Sequence, residues 1–298
     1  MRALILTLTR WVVMGLAGLL IGCRSANPVA PLAEPTALKT LEVAMSDAAS
    51  LNQPLAILLV ELGQSRADEA AVSLLESPKL RNKTGSFVSC ILDLGISRNR
   101  AIAARFHPVR TPVLVCVSPK GIIVSRDEVH LGQGLVLRRI ETARRESSEL
   151  DSHLASLEQV ASTNSTGNAA QLELANFLLA HGNALEAIPH LAAVAHCATC
   201  NDAQRVQAWV ELARAHLWIG EPEKARAEAD NLVSTLGSRL PEARAGGKLI
   251  LGIHDANLKR ADQARREFEE TMVLAPATSY ANEAAAMLED LRKGRSLK

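Results

Sequence analysis

The sequence predicts an α/β domain followed by an all-α domain of helical repeats. Three observations carry that reading. Before residue 162, short aliphatic runs such as Leu55–Leu62 (LAILLVEL) alternate with stretches of helical periodicity. At Ser162–Asn168 (STNSTGN) a polar segment with no apolar periodicity marks a linker. After it, alanine, leucine and charged residues recur at three- and four-residue spacing, and three blocks align with one another.

The chain opens MRALILTLTRWVVMGLAGLLIGC, with Arg2 and Arg10, no acidic residue, and a run of 12 uncharged residues from Trp11 to Gly22. That is the layout of a secretory signal, and it is too short for a stable membrane span. Leu20-Ile21-Gly22-Cys23 resembles the lipobox of bacterial lipoproteins. The resemblance implies cleavage after residue 22, a thioether-linked diacylglycerol on Cys23, and a further acyl chain on the new amino terminus. Two or three such chains anchor stably, at roughly 0.8 kcal/mol per buried methylene. Arg24 stands where an aspartate often marks inner-membrane retention, so the outer membrane is the default in a cell with two. Residues 23–36 then read as a lipidated tether, since SANPVAPLAEPT holds three prolines and little that could pack.

The full chain has 33 basic and 32 acidic residues; without Arg2 and Arg10 the balance is 31 to 32, a net charge near −1. Nucleic-acid binding needs a concentrated basic face, so no nucleic-acid partner is expected. Three Trp, one Tyr and four Phe in 298 residues require aliphatic, alanine-rich cores.

The first folded domain is expected over residues 37–161. Ala37–Ser50 places Leu38, Leu41, Met45 and Ala48 on one helical face, and Leu55–Leu62 reads as a central strand covered on both sides. A helix follows from about Ser65 to Arg81, with Ala70, Leu74 and Leu75 inward, and then a strand over Ser86–Leu94. Arg98–Phe106 is helical. Val113–Val117 and Ile122–Ser125 flank Ser-Pro-Lys-Gly, a turn signal between antiparallel strands. A last helix runs from about Leu135 to Leu150 or beyond. The order is αβαβαββα.

That order resembles the thioredoxin-like superfamily. The resemblance is carried by Val109-Arg110-Thr111-Pro112-Val113, which is similar to the family's "V-x-x-T-P-T", by the Ser-Pro-Lys-Gly hairpin, and by Glu76-Ser77-Pro78-Lys79. It implies a cis peptide bond before Pro112. It also implies where redox cysteines would stand, just after the first strand, and there this chain has Gln64-Ser65-Arg66-Ala67. Gln64 and Ala67 occupy the degenerate C-x-x-C positions. Thiol–disulfide exchange requires a thiolate, so this domain is expected to be redox-silent. Cys90 and Cys116 fall in aliphatic strands either side of the central one. Two strand spacings are about 9.5 Å, beyond the ~7 Å Cα limit for a disulfide, so both read as buried, inert hydrophobes.

The repeat domain is expected over residues 169–298. In the first block Leu174-Ala175 leads to Gly182, Ala187 and Leu191; in the second Trp209 and Leu212-Ala213 lead to Gly220, Ala225 and Ala229. In the third, Leu251-Gly252 leads to Lys259, Ala264, Phe268 and Pro276. The interval from the small residue to the later alanine is 12 each time, and the blocks are stepped by 38 and 39 residues. The pattern resembles the tetratricopeptide repeat, with Gly220-Glu221-Pro222-Glu223-Lys224-Ala225 close to that family's inter-helix turn. Against its 34-residue period, the excess falls at His196–Asp202 and Leu236–Glu242. Ser279–Arg292 would cap the stack.

Cys197-Ala-Thr-Cys200 is the remaining chemical motif. It could be a structural disulfide, a redox dithiol or half a zinc site. A haem attachment would need a histidine where Asn201 stands, and a metal would need two more ligands, for which His190 and His196 are near but no second cysteine pair exists. In an oxidising envelope a local disulfide is the simplest outcome. No phosphate loop, nucleophile elbow or HExxH occurs. No catalytic residue, metal or cofactor is therefore expected. The function expected is a non-enzymatic, membrane-anchored scaffold that receives protein or peptide partners in the groove of the repeat array. The alternative is a thiol oxidoreductase or disulfide chaperone using Cys197/Cys200, and a third reading is an assembly factor for outer-membrane machinery.

Overall fold

The computed structural model describes residues 40–293 apart from 85, 107, 109, 129–131 and 164–167. The signal, Cys23, the tether and the first three residues of the expected opening helix lie outside the described residues, as do residues 164–167 of the expected linker. Helix α1 (Leu41–Leu51) starts where the Thr40 hydroxyl accepts the Val43 N–H at 3.4 Å. It buries Leu41, Ala44 and Ala48.

Strand β1 (Leu55–Val60) is buried at all six residues. It forms a four-stranded sheet in the order β2-β1-β3-β4 with β2 (Val88–Asp93), β3 (Val113–Val117) and β4 (Ile123–Glu128). β2 runs parallel to β1, β3 antiparallel to it, and β4 antiparallel to β3. Because successive side chains alternate, Leu55, Ile57 and Leu59 face one apolar layer with α1, and Ala56, Leu58 and Val60 face the other. That double coverage explains an unbroken aliphatic strand.

The helix expected from Ser65 to Arg81 is two helices, α2 (Arg66–Leu75) and α3 (Pro78–Thr84). Pro78 has no N–H to continue α2 and disfavours helical geometry in Ser77 before it. The Ser77 hydroxyl instead accepts the Leu80 N–H at 3.2 Å and starts α3. α2 buries Asp68, Ala71 and Leu75, and Ala70 points outward. Helix α4 (Ser97–Ala103) ends in a 3₁₀ turn over Ala104–Phe106.

Helix α5 (Gln133–Thr163) has 31 residues, a length of roughly 46 Å at 1.5 Å per residue. Its buried stripe is Val136, Ile140, Ala143, Ser147, Leu154, Leu157 and Ala161. The first three pack on the sheet; Leu154, Leu157 and Ala161 belong to the core of the helical region. Ser147 sits at the changeover with its hydroxyl bonded back to the Ala143 carbonyl. One helix thus serves both cores.

Three helix pairs follow, α6/α7 (Asn168–Ala180, Ala184–Ala195), α8/α9 (Asp202–Trp218, Pro222–Leu236) and α10/α11 (Pro241–Asn257, Ala261–Leu274), and then α12 (Ser279–Arg292). Gly182, Gly220 and Lys259 hold φ of 72°, 79° and 61°. Beyond each, an N–H reaches back five residues, from Asn183 to Leu178 O, Glu221 to His216 O and Arg260 to Asp255 O, all at 2.8 Å. These are the same left-handed helix cap three times. The alanines five residues past each cap, Ala187, Ala225 and Ala264, are fully buried where the second helix crosses the first.

The two regions meet through the turn between β3 and β4. Asn183 Nδ2 donates to the Gly121 carbonyl at 2.9 Å, and its Oδ1 accepts the Ile123 N–H at 3.2 Å. His181 Nδ1 lies 3.2 Å from the Ile123 carbonyl, and Arg105 pairs with Glu186 at 2.7 Å. The described residues fall in one compact unit.

Candidate functional site

Three places hold the residues that the sequence singles out. The first is the start of α2. Gly63, at φ 78°, turns the chain out of β1, and the Ser65 hydroxyl caps the helix by accepting the Ala67 N–H at 3.0 Å. Gln64 and Ala67 are both exposed. The group turned inward is Asp68, fully buried, with Oδ2 accepting the Thr111 hydroxyl at 3.1 Å and Oδ1 without a hydrogen bond. The Thr111–Pro112 peptide bond is cis, and Pro112 is buried. Asp68 therefore ties the first turn of α2, where the helix dipole favours a carboxylate, to the loop before β3. Sequence reading passed over it because an acidic residue in a first turn ordinarily faces water.

Cys90 and Cys116 lie on opposite faces of the sheet, Cys90 with Ile57 and Cys116 with Ala56, and neither is in a disulfide. Burial pushes the Cys116 thiol up to about 12, which removes the thiolate needed for reactivity at neutral pH.

The second place is the loop from α7 to α8. Cys197 and Cys200 are joined in a disulfide with Cα atoms 5.4 Å apart. Cys200 is buried and Cys197 partly so, with its sulfur 3.4 Å from the Thr199 hydroxyl. Asn201 then caps α8 by accepting the Ala203 N–H at 2.8 Å. Below the loop, Trp209 Nε1 donates to Glu228 at 3.1 Å, His196 stands edge-on to the Trp209 ring at 5.3 Å, and the Arg205 guanidinium lies 5.2 Å from it. The bridge thus clips a packed junction between two helix pairs. Among the described residues no group of three or more His, Cys, Asp or Glu could hold a metal ion.

The third place is the wall formed by the first helices of the pairs. α6 touches α8, α8 touches α10, and α10 touches α12. On α8, Ala203, Gln207, Glu211, Arg214 and Trp218 form one outward stripe at helical spacing. Arg214 bonds Glu211 at 3.2 Å on its own helix and reaches across to Glu283 on α12. Between them α10 packs closely on α8 at Gly246 and on α9 at Gly247. A Cβ on Gly246 would sit 2.7 Å from Val210, and one on Gly247 would sit 2.4 Å from Val233. Burial holds the Glu211 carboxyl above its ordinary value, with Arg214 opposing the shift. Burial likewise raises Tyr280 beside this group. Two carboxylates around one guanidinium leave the wall acidic.

No helix among the described residues is long and apolar enough to cross a membrane. No protein-family model matches the chain, and no curated protein matches it.

Proposed function

We propose that this chain is a lipid-anchored envelope lipoprotein that holds protein partners on a tetratricopeptide-like array joined to a redox-silent, thioredoxin-like domain. The observation that carries the reading is the threefold reiteration of one helix pair, with the same left-handed cap and buried alanine, which leaves an extended wall of first helices. The α/β domain supports it with a cis proline before β3 and no cysteine at the start of α2. The lipobox-like Leu20–Cys23 supplies the anchor. A peptide or helix bearing basic side chains suits the acidic wall around Glu211, Arg214 and Glu283.

The test is site-specific photocrosslinking in cells with the full chain. A crosslinker at Gln207 or Asn176, both exposed on first helices, should trap a discrete adduct. One at Ala193 or Asp230, exposed on second helices, should not. Equal adducts from both faces sink the reading. Replacing Cys23 by serine should release the protein from the membrane fraction.

The second reading is thiol–disulfide exchange at Cys197/Cys200, favoured by the partial exposure of Cys197 in a formed bridge. It requires insulin reduction that is lost in the Cys197→Ser variant. The scaffold reading expects no such turnover.

A further inference from the structure

The two edges of the sheet are finished differently. β4 carries Arg126, Asp127 and Glu128, its register with β3 shifts between Cys116 and Val117, and the array holds the turn leading into it through Asn183. Charge, irregular register and a covering element are what keep an edge strand from pairing again. β2 lacks the charges and the shift. Its sequence VSCILD has no lysine, arginine or proline, and its one charge is the terminal Asp93. Its register with β1 runs unbroken from Leu55/Val88 to Val60/Asp93.

The backbone hydrogen bonds identify the groups that β2 leaves open. The Val88 N–H donates to the Pro54 carbonyl at 3.0 Å and the Leu94 N–H to the Val60 carbonyl at 2.7 Å. Successive residues of a strand turn N–H and C=O to alternate sides, so Val88, Cys90 and Leu92 face β1, and Ser89, Ile91 and Asp93 face outward. The Asp93 carbonyl accepts Asn99 Nδ2 and the Ile96 N–H, both at 3.1 Å. Among the described residues nothing bonds the backbone N–H or C=O of Ser89 and Ile91. Donor and acceptor pairs two residues apart are what an added β-strand recognises, and covering them unpaired is costly.

We propose that β2 pairs antiparallel with β2 of a second copy of this chain, about a two-fold axis at Cys90, joining two four-stranded sheets into one. In that register Ser89 stands opposite Ile91 of the other copy. Each of the two such pairs exchanges two N–H···O=C bonds, which uses every open group of Ser89 and Ile91 on both chains. Val88 meets Leu92, apolar on apolar, and Asp93 meets Phe87, so no carboxylate opposes another. Helix α1 packs on β2 and leaves Val43 and Leu51 exposed, so the helix beside the seam adds apolar surface. The chain's own segment 24–39 suits the edge less well, because Pro28, Pro31 and Pro35 lack the N–H that a ladder needs.

Sedimentation of the full chain in mild detergent tests this, and a dimer dissociating in the micromolar range is expected. Ser89→Pro deletes an outward N–H without touching the ladder to β1, and half of the seam's bonds go with it. Its dimer should dissociate at least about tenfold more readily. Ser89→Lys keeps the N–H but sets a charge on each side of the seam, and should weaken the dimer as well. Hydrogen exchange of the unaltered chain gives a reading that needs no variant. The Ser89 and Ile91 amides should slow as concentration rises, while those of Cys90 and Leu92, already bonded to β1, should not change. A monomer at every concentration up to about 100 μM, or a dimer indifferent to both substitutions, would overturn the proposal. So would slow exchange at Ser89 and Ile91 in the dilute monomer, which would put a segment of the same chain on the edge.

Discussion

The α/β region and the helical array bury apolar surface by opposite means. The sheet does it with bulk: β1 is six residues of LAILLV, none more than 1% exposed, gripped by helices on both faces. The array does it with absence. Its crossings are made by alanine or glycine, so that helix axes approach closely and larger side chains fill what remains. At the equivalent positions of the three pairs stand Ala175 and Leu191, Ala213 and Ala229, and Gly252 and Phe268, all buried. A Cβ on Gly252 would stand 2.5 Å from the Phe268 ring, so the largest side chain in the series requires the smallest opposite it.

This contrast yields the largest expected effects. Phe268→Ala should destabilise by about 3–5 kcal/mol, and Leu58→Ala in β1 by about 2–5 kcal/mol, both read by denaturant unfolding. Gly252→Ala alone should cost about 1–3 kcal/mol through overpacking. In the double variant with Phe268→Ala that overpacking cost should vanish, since the crossing then matches Ala213/Ala229. A double variant as unstable as the sum of its parts breaks the volume-matching account.

The next effect concerns what makes the two regions one unit. Asn183→Ala removes two hydrogen bonds and leaves the Gly121 carbonyl and Ile123 N–H without them. The cost should be about 2–6 kcal/mol at roughly 1–3 kcal/mol for each group left unsatisfied. Calorimetry should then resolve two transitions where the parent shows one. A single transition would place the coupling in the contacts that remain: α5 through Leu154, Leu157 and Ala161, the His181–Ile123 contact and the Arg105–Glu186 pair.

How much of this was legible in the sequence follows the same division. Order of elements, the β3–β4 hairpin and the positions of Ala187, Ala225 and Ala264 were readable, because periodicity and a constant interval are local facts. Lys259 took its place in the series by alignment, although nothing in a lysine signals a φ of 61°. The full reach of α5 was less visible: its buried positions recur at three and four residues from Val136 to Ala161, but Ser147 and many charges dilute the stripe. The break at Pro78 is announced by the proline and by the resemblance of Glu76-Ser77-Pro78-Lys79 to a motif that ends a helix, although the periodicity runs on to Arg81. The Asn183 anchor and the Asp68–Thr111 contact join residues 43 or more positions apart. Composition and spacing carry no trace of such pairings.

A smaller effect distinguishes the regions by redox state. A bridge across a three-residue separation closes a very short loop, so its removal should cost at most about 2 kcal/mol. Reduction, or replacing Cys197 and Cys200 by serine, should lower the stability of the array and speed hydrogen exchange around α8, and should leave the sheet unchanged. Trp209 fluorescence should report it, since that ring packs under the loop. Cys90 and Cys116 should resist alkylation until the sheet unfolds, given their burial.

The smallest effect is one of pH. Burial lowers the His190 pKa from 6.5, with Glu158 pulling it the other way. The folded protein therefore binds fewer protons at this site than the unfolded chain does, and stability falls as pH drops below 6.5 towards the folded value. Glu211 works in the opposite sense. Burial raises it above 4.5, so protonation there favours the fold as pH falls through the raised value towards 4.5. The two slopes are opposite in sign, and His190→Gln separates them. That variant should flatten the loss of stability just below pH 6.5 and leave the Glu211 contribution at lower pH intact. If its stability curve parallels the parent's through that range, the imidazole is not desolvated in the folded protein.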